Sequence, residues 1–295
     1  MNAQTRRSKR QAFTLVELLV VITIIGILVA LLVPAVTSAL RNAKDARIAI
    51  EVQGLANAME AYKLKHGAYP PDFALDAIGD GDQIVNHLAR NFRYRNKNGD
   101  VYSDISTLDP AEALVFWLSG LSENKKFPLT GREAYSDLFP AKIKSDQPFY
   151  EFDQSRLRDS DEDGWPEFYP QDLELPYVYM VSQNYGVTND NETLAVAVPH
   201  AILNGLSAVR AYSSEWATST GETAVTSAEA VGVKRFANED KFQILCAGQD
   251  NAFGCVVEGN QNISPTFADG IGYEAADGDN IANFSESTLE AAKPN

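Results

Sequence analysis

Asp159-Ser160-Asp161-Glu162-Asp163-Gly164-Trp165-Pro166-Glu167 alternates carboxylates and then places a glycine. Calcium takes six to eight oxygens, and three alternating acids turned inward by a glycine supply the first half of such a cage. The bidentate acid expected six places after Gly164 is Pro170, which leaves Glu167 to close a shortened loop. A solvated acidic turn is the competing reading of Asp159, Asp161, Asp163 and Glu167.

Catalytic chemistry finds little to work with. Ser122 and Ser207 each follow Gly-Leu, but neither stands in Gly-x-Ser-x-Gly, and His66, His87 and His200 lie on separate segments. Two carboxylates at the right distance can hydrolyse a glycoside, yet among 40 acidic residues such pairs arise by chance. No glycine-rich phosphate loop is present. The His residues have no ligand spacing to Cys246 and Cys255, which argues against zinc. We expect no enzyme. A formal charge of -15 also argues against binding phosphate backbones, which need clustered Lys and Arg.

The elements that must position these residues begin with a membrane helix. Leu18 to Val36 carries no charged residue, and at about 1.5 Å per residue it spans roughly the 30 Å of a bilayer core. Arg6, Arg7, Lys9 and Arg10 precede it, so the positive-inside rule predicts a cytoplasmic N-terminus and an extracytoplasmic head. Glu17 is the anomaly, because a carboxylate drawn to mid-membrane costs about 2 to 3 kcal/mol. Pro34 removes one hydrogen bond and predicts a kink or a locally extended stretch. A secretory signal cut after Ala39 competes with this reading, but its apolar region would be about 7 to 15 residues and would hold no Glu. In an oxidising compartment Cys246 and Cys255 can close a small disulfide loop; two reduced, buried thiols are the alternative.

Beyond Pro34, Ile48, Val52, Leu55, Met59 and Tyr62 recur at spacings of four and three, while Arg47, Glu51, Gln53, Asn57, Glu60 and Lys63 fill the other faces. One amphipathic helix therefore continues to His66-Gly67, with Pro70-Pro71 just beyond. Ala111 to Leu121 reads as a short buried helix carrying Phe116 and Trp117. Leu194 to Val233 is rich in Ala, Ser and Thr and does not declare its structure.

The leader Arg6 to Arg10 followed by Ala12-Phe13-Thr14-Leu15-Val16-Glu17 resembles the processing site of the type IV pilin and type II secretion pseudopilin superfamily. The resemblance implies cleavage between Ala12 and Phe13, methylation of the Phe13 amine, and neutralisation of that amine by Glu17 of a neighbouring subunit. It also implies a segment near Pro34 able to unwind in the filament. Loss of the four leader cations would lower the charge from -15 to -19.

Two further stretches narrow the likeness to the G-type pseudopilins of type II secretion. Ala61 to Pro70 is similar to their helix-end motif, and Asp172 to Tyr179 to their Asp-Pro-Trp-Gly-x-Pro-Tyr-x-Tyr, although Leu173 and Leu175 depart from it. The second match places a strand at Tyr177 to Ser182, with Tyr179 and Val181 on one face and Val178 and Met180 on the other. Lys241 to Asp250 and Gly278 to Phe284 resemble the family's C-terminal strand and calcium loop. That implies calcium at Asp250, Asp277, Asp279 and Asn280, with a solvated acidic turn as the alternative.

The expected fold is α+β and pilin-like: a long N-terminal helix packed on a small antiparallel sheet, a partly helical insertion and a C-terminal calcium-type loop. The expected divisions are a leader at 1–12, a membrane and filament-core helix at 13–36 and its amphipathic continuation at 37–67. A head at 68–284, with an insertion at about 75–165, and a tail at 285–295 complete the chain. The function so implied is a structural subunit of a periplasmic pseudopilus in a type II secretion-like system, anchored in the bacterial inner membrane. Its implied partners are further copies or other pseudopilins, a prepilin peptidase, and an inner-membrane assembly platform with its ATPase. The alternatives are a minor pilin of a type IV pilus, or a membrane-tethered hydrolase or ligand-binding head sharing only the leader.

Overall fold

In a computed structural model of the chain, the described residues are 14–73, 82–92, 108–119, 148–160, 165–185, 201–203, 207–209, 211–223, 232–253, 266–267, 273 and 275–292. The chain divides into two compact units, Met1–Lys44 and Asp45–Asn295.

Helix α1 covers Leu15–His66. In the first unit its apolar side chains are exposed, from Leu15 at 78% to Val36 at 47%. This is the one described helix long and apolar enough to cross a membrane. The helix runs through Pro34 with no extended stretch, and the Thr37 hydroxyl donates to the Pro34 carbonyl at 2.9 Å.

In the second unit the periodic stripe is buried: Ile48, Ala49, Val52, Leu55, Ala56, Ala58, Met59 and Tyr62. The helix stops where the sequence predicts. Gly67 takes φ 83°, a conformation that costs glycine little, and its N–H donates to the Lys63 carbonyl at 2.6 Å. Lys63, Lys65 and His66 place basic side chains in the last turn, where the helix dipole favours them.

The stripe packs on a three-stranded antiparallel sheet in the order β3-β8-β9, with β3 at Val178–Val181, β8 at Phe242–Cys246 and β9 at Ile281–Ala282. Tyr179 and Val181 enter the core shared with α1, while Val178 and Met180 enter a second core on the other face. Both faces are covered, so every residue of β3 and β8 is buried.

The insertion helps to make the first core. Helix α2 is Asp82–Phe92, and α3 is Ala113–Leu118, all six residues of it buried. Trp117 stacks on Phe73, and its indole N–H donates to the Pro71 carbonyl at 2.8 Å. The turn after α1 is thereby fixed, and the Asp72 carboxylate accepts the Val181 N–H at 2.9 Å to tie it to β3. A short hairpin of β1 (Leu157–Arg158) and β2 (Glu167–Phe168) closes this side.

The Ala-, Ser- and Thr-rich stretch contains strands. Strand β4 (Ala201–Leu203) pairs with β5 (Ser207–Val209), and β6 (Ser213–Ala217) pairs with β7 (Gly232–Phe236). Val209, Ala211 and Tyr212 enter the second core. Residues 285–292, read from sequence as a tail, pack with the head: Leu289 is fully buried, and its N–H donates to the Asn280 carbonyl at 2.8 Å. A leucine at that position outweighs the polar composition around it.

Candidate functional site

The start of α1 is built by two side chains. The Thr14 N–H donates to Glu17 Oε2 at 2.9 Å, and the Glu17 N–H donates to Thr14 Oγ1 at 3.2 Å. This reciprocal pair is a capping box, which satisfies two of the amides that a helix leaves open at its N-terminus. The Thr14 hydroxyl also donates to Glu17 Oε2 at 2.9 Å. Glu17 therefore already has a local partner within one chain. The Thr-x-x-Glu spacing carries this signal in the sequence, and the reading of Glu17 as an assembly charge passed over it. Ala12 and Phe13 lie outside the described residues.

The C-terminal loop gathers three elements. After β8 the chain turns at Gly248, whose φ is 69°. An added Cβ there would run into the backbone and side chain of Asp279. Asp279 Oδ2 accepts the N–H groups of Gln249 at 2.7 Å and Asp250 at 3.0 Å. Its other oxygen, Oδ1, is buried without a hydrogen-bond partner among the described residues. Burial first, and the neighbouring Asp250 charge next, push the Asp279 carboxyl up to about 6 against the two amides that lower it. Asp250 Oδ1 accepts the Ala252 N–H at 2.9 Å.

Asp277 and Asn280 are fully buried and serve a different atom. The Tyr212 hydroxyl donates to Asp277 Oδ1 at 2.6 Å and lies 2.7 Å from the Asn280 amide. With that amide turned so that its oxygen faces Tyr212, its nitrogen donates to the carbonyls of Ala247 and Ala252, each at 3.1 Å. These two residues brace the loop from behind, while Asp279 and Asp250 face each other across the turn. Tyr212, from the stretch the sequence left undefined, is the member that motif reading missed.

The loop is also fastened to α1. The Gln249 side-chain amide donates to Asp45 Oδ1, and the Gln53 amide donates to the Asn283 carbonyl at 3.1 Å. No periodicity or motif marks these polar contacts.

Among the described residues, no group of three His, Cys, Asp or Glu side chains is arranged to hold a metal ion. Asp279 Oδ1 is the one oxygen of this loop whose chemistry would suit a hard cation, while the space beside Gly248 is filled by Asp279 itself.

At the other acidic motif, Asp161 and Asp163 lie outside the described residues. Glu167 is 4% exposed, and its carboxylate accepts from the Ser160 N–H at 3.1 Å, the Ser160 hydroxyl and the Tyr169 hydroxyl at 3.2 Å. Glu167 thus closes the base of the β1–β2 loop, directly following Asp159. Cys246 is a buried thiol whose pKa burial pushes up to about 12; Cys255, and with it the expected pairing, lies outside the described residues.

A cavity of about 300 Å³ beside α1 is lined in part by Arg47, Glu51, Tyr150, Asp153, Arg156 and Phe168. Two of its charges are matched: Arg156 donates to both oxygens of Glu51, and the Tyr177 hydroxyl donates to the same carboxylate.

Residues 7–33 match the prokaryotic N-terminal methylation motif. The chain is 35% identical over 106 residues to the type II secretion system core protein G of Pseudomonas aeruginosa, covering 36% of this chain and 70% of that protein. It is 35% identical over 86 residues to the core protein G of Vibrio cholerae, covering 29% of this chain and 58% of the relative. A type IV major pilin, PilE of Neisseria gonorrhoeae, is 29% identical over 87 residues, 30% of this chain and 52% of that protein. No solved structure matches. The methylation motif heads an apolar helix, the helix packs on a small antiparallel sheet, and the chain belongs to the type II secretion system core protein G family, the pseudopilins of the type IV pilin superfamily.

Proposed function

We propose that the chain, once cut between Ala12 and Phe13 by a prepilin peptidase and methylated at Phe13, polymerises through α1 into a periplasmic pseudopilus. The observation that carries this reading is the segment Leu15–Val36, apolar and exposed along its length, headed by a carboxylate in a capping box. A bilayer covers such a surface before assembly, and neighbouring helices cover it afterwards. Glu17 then exchanges its local Thr14 partner for the Phe13 amine of the next subunit. An ion pair removed from water is severely weakened by loss of either member, so this one charge discriminates docked from undocked subunits. The four leader cations support an orientation with the leader in the cytoplasm and the head in the periplasm. The inner-membrane platform and its ATPase supply the work of extraction.

The head plays no catalytic part in this reading. Calcium is its proposed ligand, held by Asp279 Oδ1, Asp250 and carbonyl oxygens of the loop, while Asp277 and Asn280 hold Tyr212. A bound cation would satisfy the buried carboxylate oxygen and fix the C-terminal loop on β8. The Asp159, Asp161, Asp163 loop is a second proposed site, with Glu167 positioning it through Ser160.

Intact mass and N-terminal sequencing of the protein recovered from native membranes test the central claim. A chain beginning at N-methylated Phe13 supports it. A start near Arg41 would mean ordinary secretion, and a retained leader would mean a simple anchor; either would remove the pseudopilus reading.

A further inference from the structure

Two histidines flank one tyrosine at the end of α1. Tyr62 and His66 are one turn apart on the helix, with ring centroids 4.4 Å apart. His87 comes from α2 and stacks on the same tyrosine, its ring 5.9 Å away and inclined by 18°. Trp117 of α3 meets the His87 ring edge-on at 5.2 Å, and Phe149 meets the His66 ring at 5.8 Å. The insertion is thus joined to α1 through a cluster of rings, two of which can take up a proton.

The surroundings suit a neutral His87. The Tyr62 hydroxyl lies 2.9 Å from its Nε2, and the Asn91 amide nitrogen lies 3.0 Å from the same atom. An amide nitrogen only donates, so it fits a ring nitrogen with a free lone pair; a protonated ring has none to offer. The charges that bear on His87 are His66 from α1 and Arg90 from α2, both cationic when protonated, and Lys65 bears on His66 in the same way. Burial acts first at each ring, and both titrate at about 4 rather than 6.5.

Among the described side chains of α2, Ile84 and His87 are the buried ones, whereas every residue of α3, β3 and β8 is buried. A helix of 11 residues does not hold its shape alone in water, so α2 depends on this docking.

We propose that His87 and His66, set around Tyr62, latch α2 to the end of α1, and that their protonation releases α2 while the sheet stays folded. The head then has two stabilities, and the insertion is the part that acid frees first. Release uncovers the Tyr62 and Trp117 rings, so the surface a head presents changes with pH without any change in its attachment to β8.

The test uses the full chain in detergent micelles. Hydrogen exchange, read as protection factors so that the intrinsic pH dependence cancels, is compared over Asp82–Phe92 and over Phe242–Cys246. The expected result for the wild type is α2 protection about twentyfold lower at about pH 5 than at about pH 7, the effect of one group whose pKa returns from about 4 to about 6.5 on release, with β8 unchanged. His87→Gln keeps a polar partner for Tyr62 and cannot titrate, so it should hold α2 protection within about threefold over the same range. His66→Gln removes a neighbouring charge and should lessen the drop without abolishing it. Equal loss over α2 and β8 would overturn the latch, since acid would then be opening the whole head; so would a wild type with no drop, or an undiminished drop in His87→Gln. Should His87→Gln fail to dock α2 at neutral pH, the half-buried His66 decides: an undiminished drop in His66→Gln overturns the paired mechanism.

Discussion

The two halves of α1 solve opposite problems with one kind of backbone. From Leu15 to Val36 apolar side chains point in every direction and all are exposed, whereas from Ile48 to Tyr62 eight residues on one face are buried and the other face is polar or small except for the exposed Ile50. The first half has no core of its own and depends on a lipid or protein environment outside the subunit. The second half is buried in the core of its own head. Assembly and folding are therefore written into separate stretches of the same helix, and substitutions should sort accordingly.

The largest effect should come from Glu17. Glu17→Ala should leave leader cleavage and head stability unchanged, and should lower filament yield, measured by shearing and sedimentation, at least tenfold. Normal filaments from this variant would remove the assembly role of Glu17. A destabilised head would break the comparison itself, since it would mean that the two halves are not independent.

The converse substitution lies in the insertion. Trp117 is fully buried, stacks on Phe73 and donates to Pro71. Trp117→Ala should cost about 3 to 5 kcal/mol by cavity formation and loss of the turn anchor, read as a lower denaturation midpoint of the full chain in detergent. Membrane insertion should persist, because the first unit contains none of these contacts.

How much of this was legible in the residues follows the same division. The apolar run, the Gly67 stop and the buried helix bearing Trp117 each rest on a local pattern of hydrophobicity or backbone preference, and the structure has all three; the strand placed at Tyr177 to Ser182 by the family match runs Val178–Val181 with the expected faces. The C-terminal loop was legible only in part. The family resemblance implies Asp250, Asp277, Asp279 and Asn280 as oxygen donors, but it does not say that Tyr212, 65 residues before Asp277, would draw two of them away. The Gln249–Asp45 contact spans 204 residues and leaves no trace in either segment. Polar contacts at long range have no period to betray them, and that is where the sequence runs out.

Acid sharpens the comparison, because both described histidines sit in the second unit. His87 is buried beside Trp117, hydrogen-bonds the Tyr62 hydroxyl at 2.9 Å through Nε2, and has its pKa pushed down to about 4, chiefly by burial and then by His66 and Arg90. The folded state therefore resists protonation while the unfolded chain accepts it near 6.5. Its contribution is present in full above that value and is lost as pH falls from about 6.5 toward 4. This group alone accounts for about 3 kcal/mol over that window. His87→Gln should flatten the acid limb of a stability–pH profile; an unchanged limb would assign acid sensitivity elsewhere.

A smaller effect is expected at Gly248. Gly248→Ala must adopt φ 69° and push its Cβ against Asp279, at a cost of about 2 kcal/mol in the head. Calcium affinity should fall with it, because Asp279 is the atom displaced. If the variant loses stability but binds calcium as tightly as the wild type, the ion is not held at Asp279.

The smallest effect lies back at the start of α1 and tests how Glu17 divides its time. Thr14 caps the helix and also occupies the Glu17 carboxylate, at 2.9 Å from both its N–H and its hydroxyl. Thr14→Ala removes the hydroxyl and should cost the first turn about 1 kcal/mol, while Thr14→Ser should restore it. The cost to assembly runs the other way. A Glu17 held only by the backbone N–H of residue 14 is freer to meet the Phe13 amine of a neighbour, so Thr14→Ala should fray the first turn in detergent without lowering filament yield. If Thr14→Ala lowers yield as far as Glu17→Ala does, the capping box survives in the filament, and the carboxylate serves its own helix rather than the next subunit.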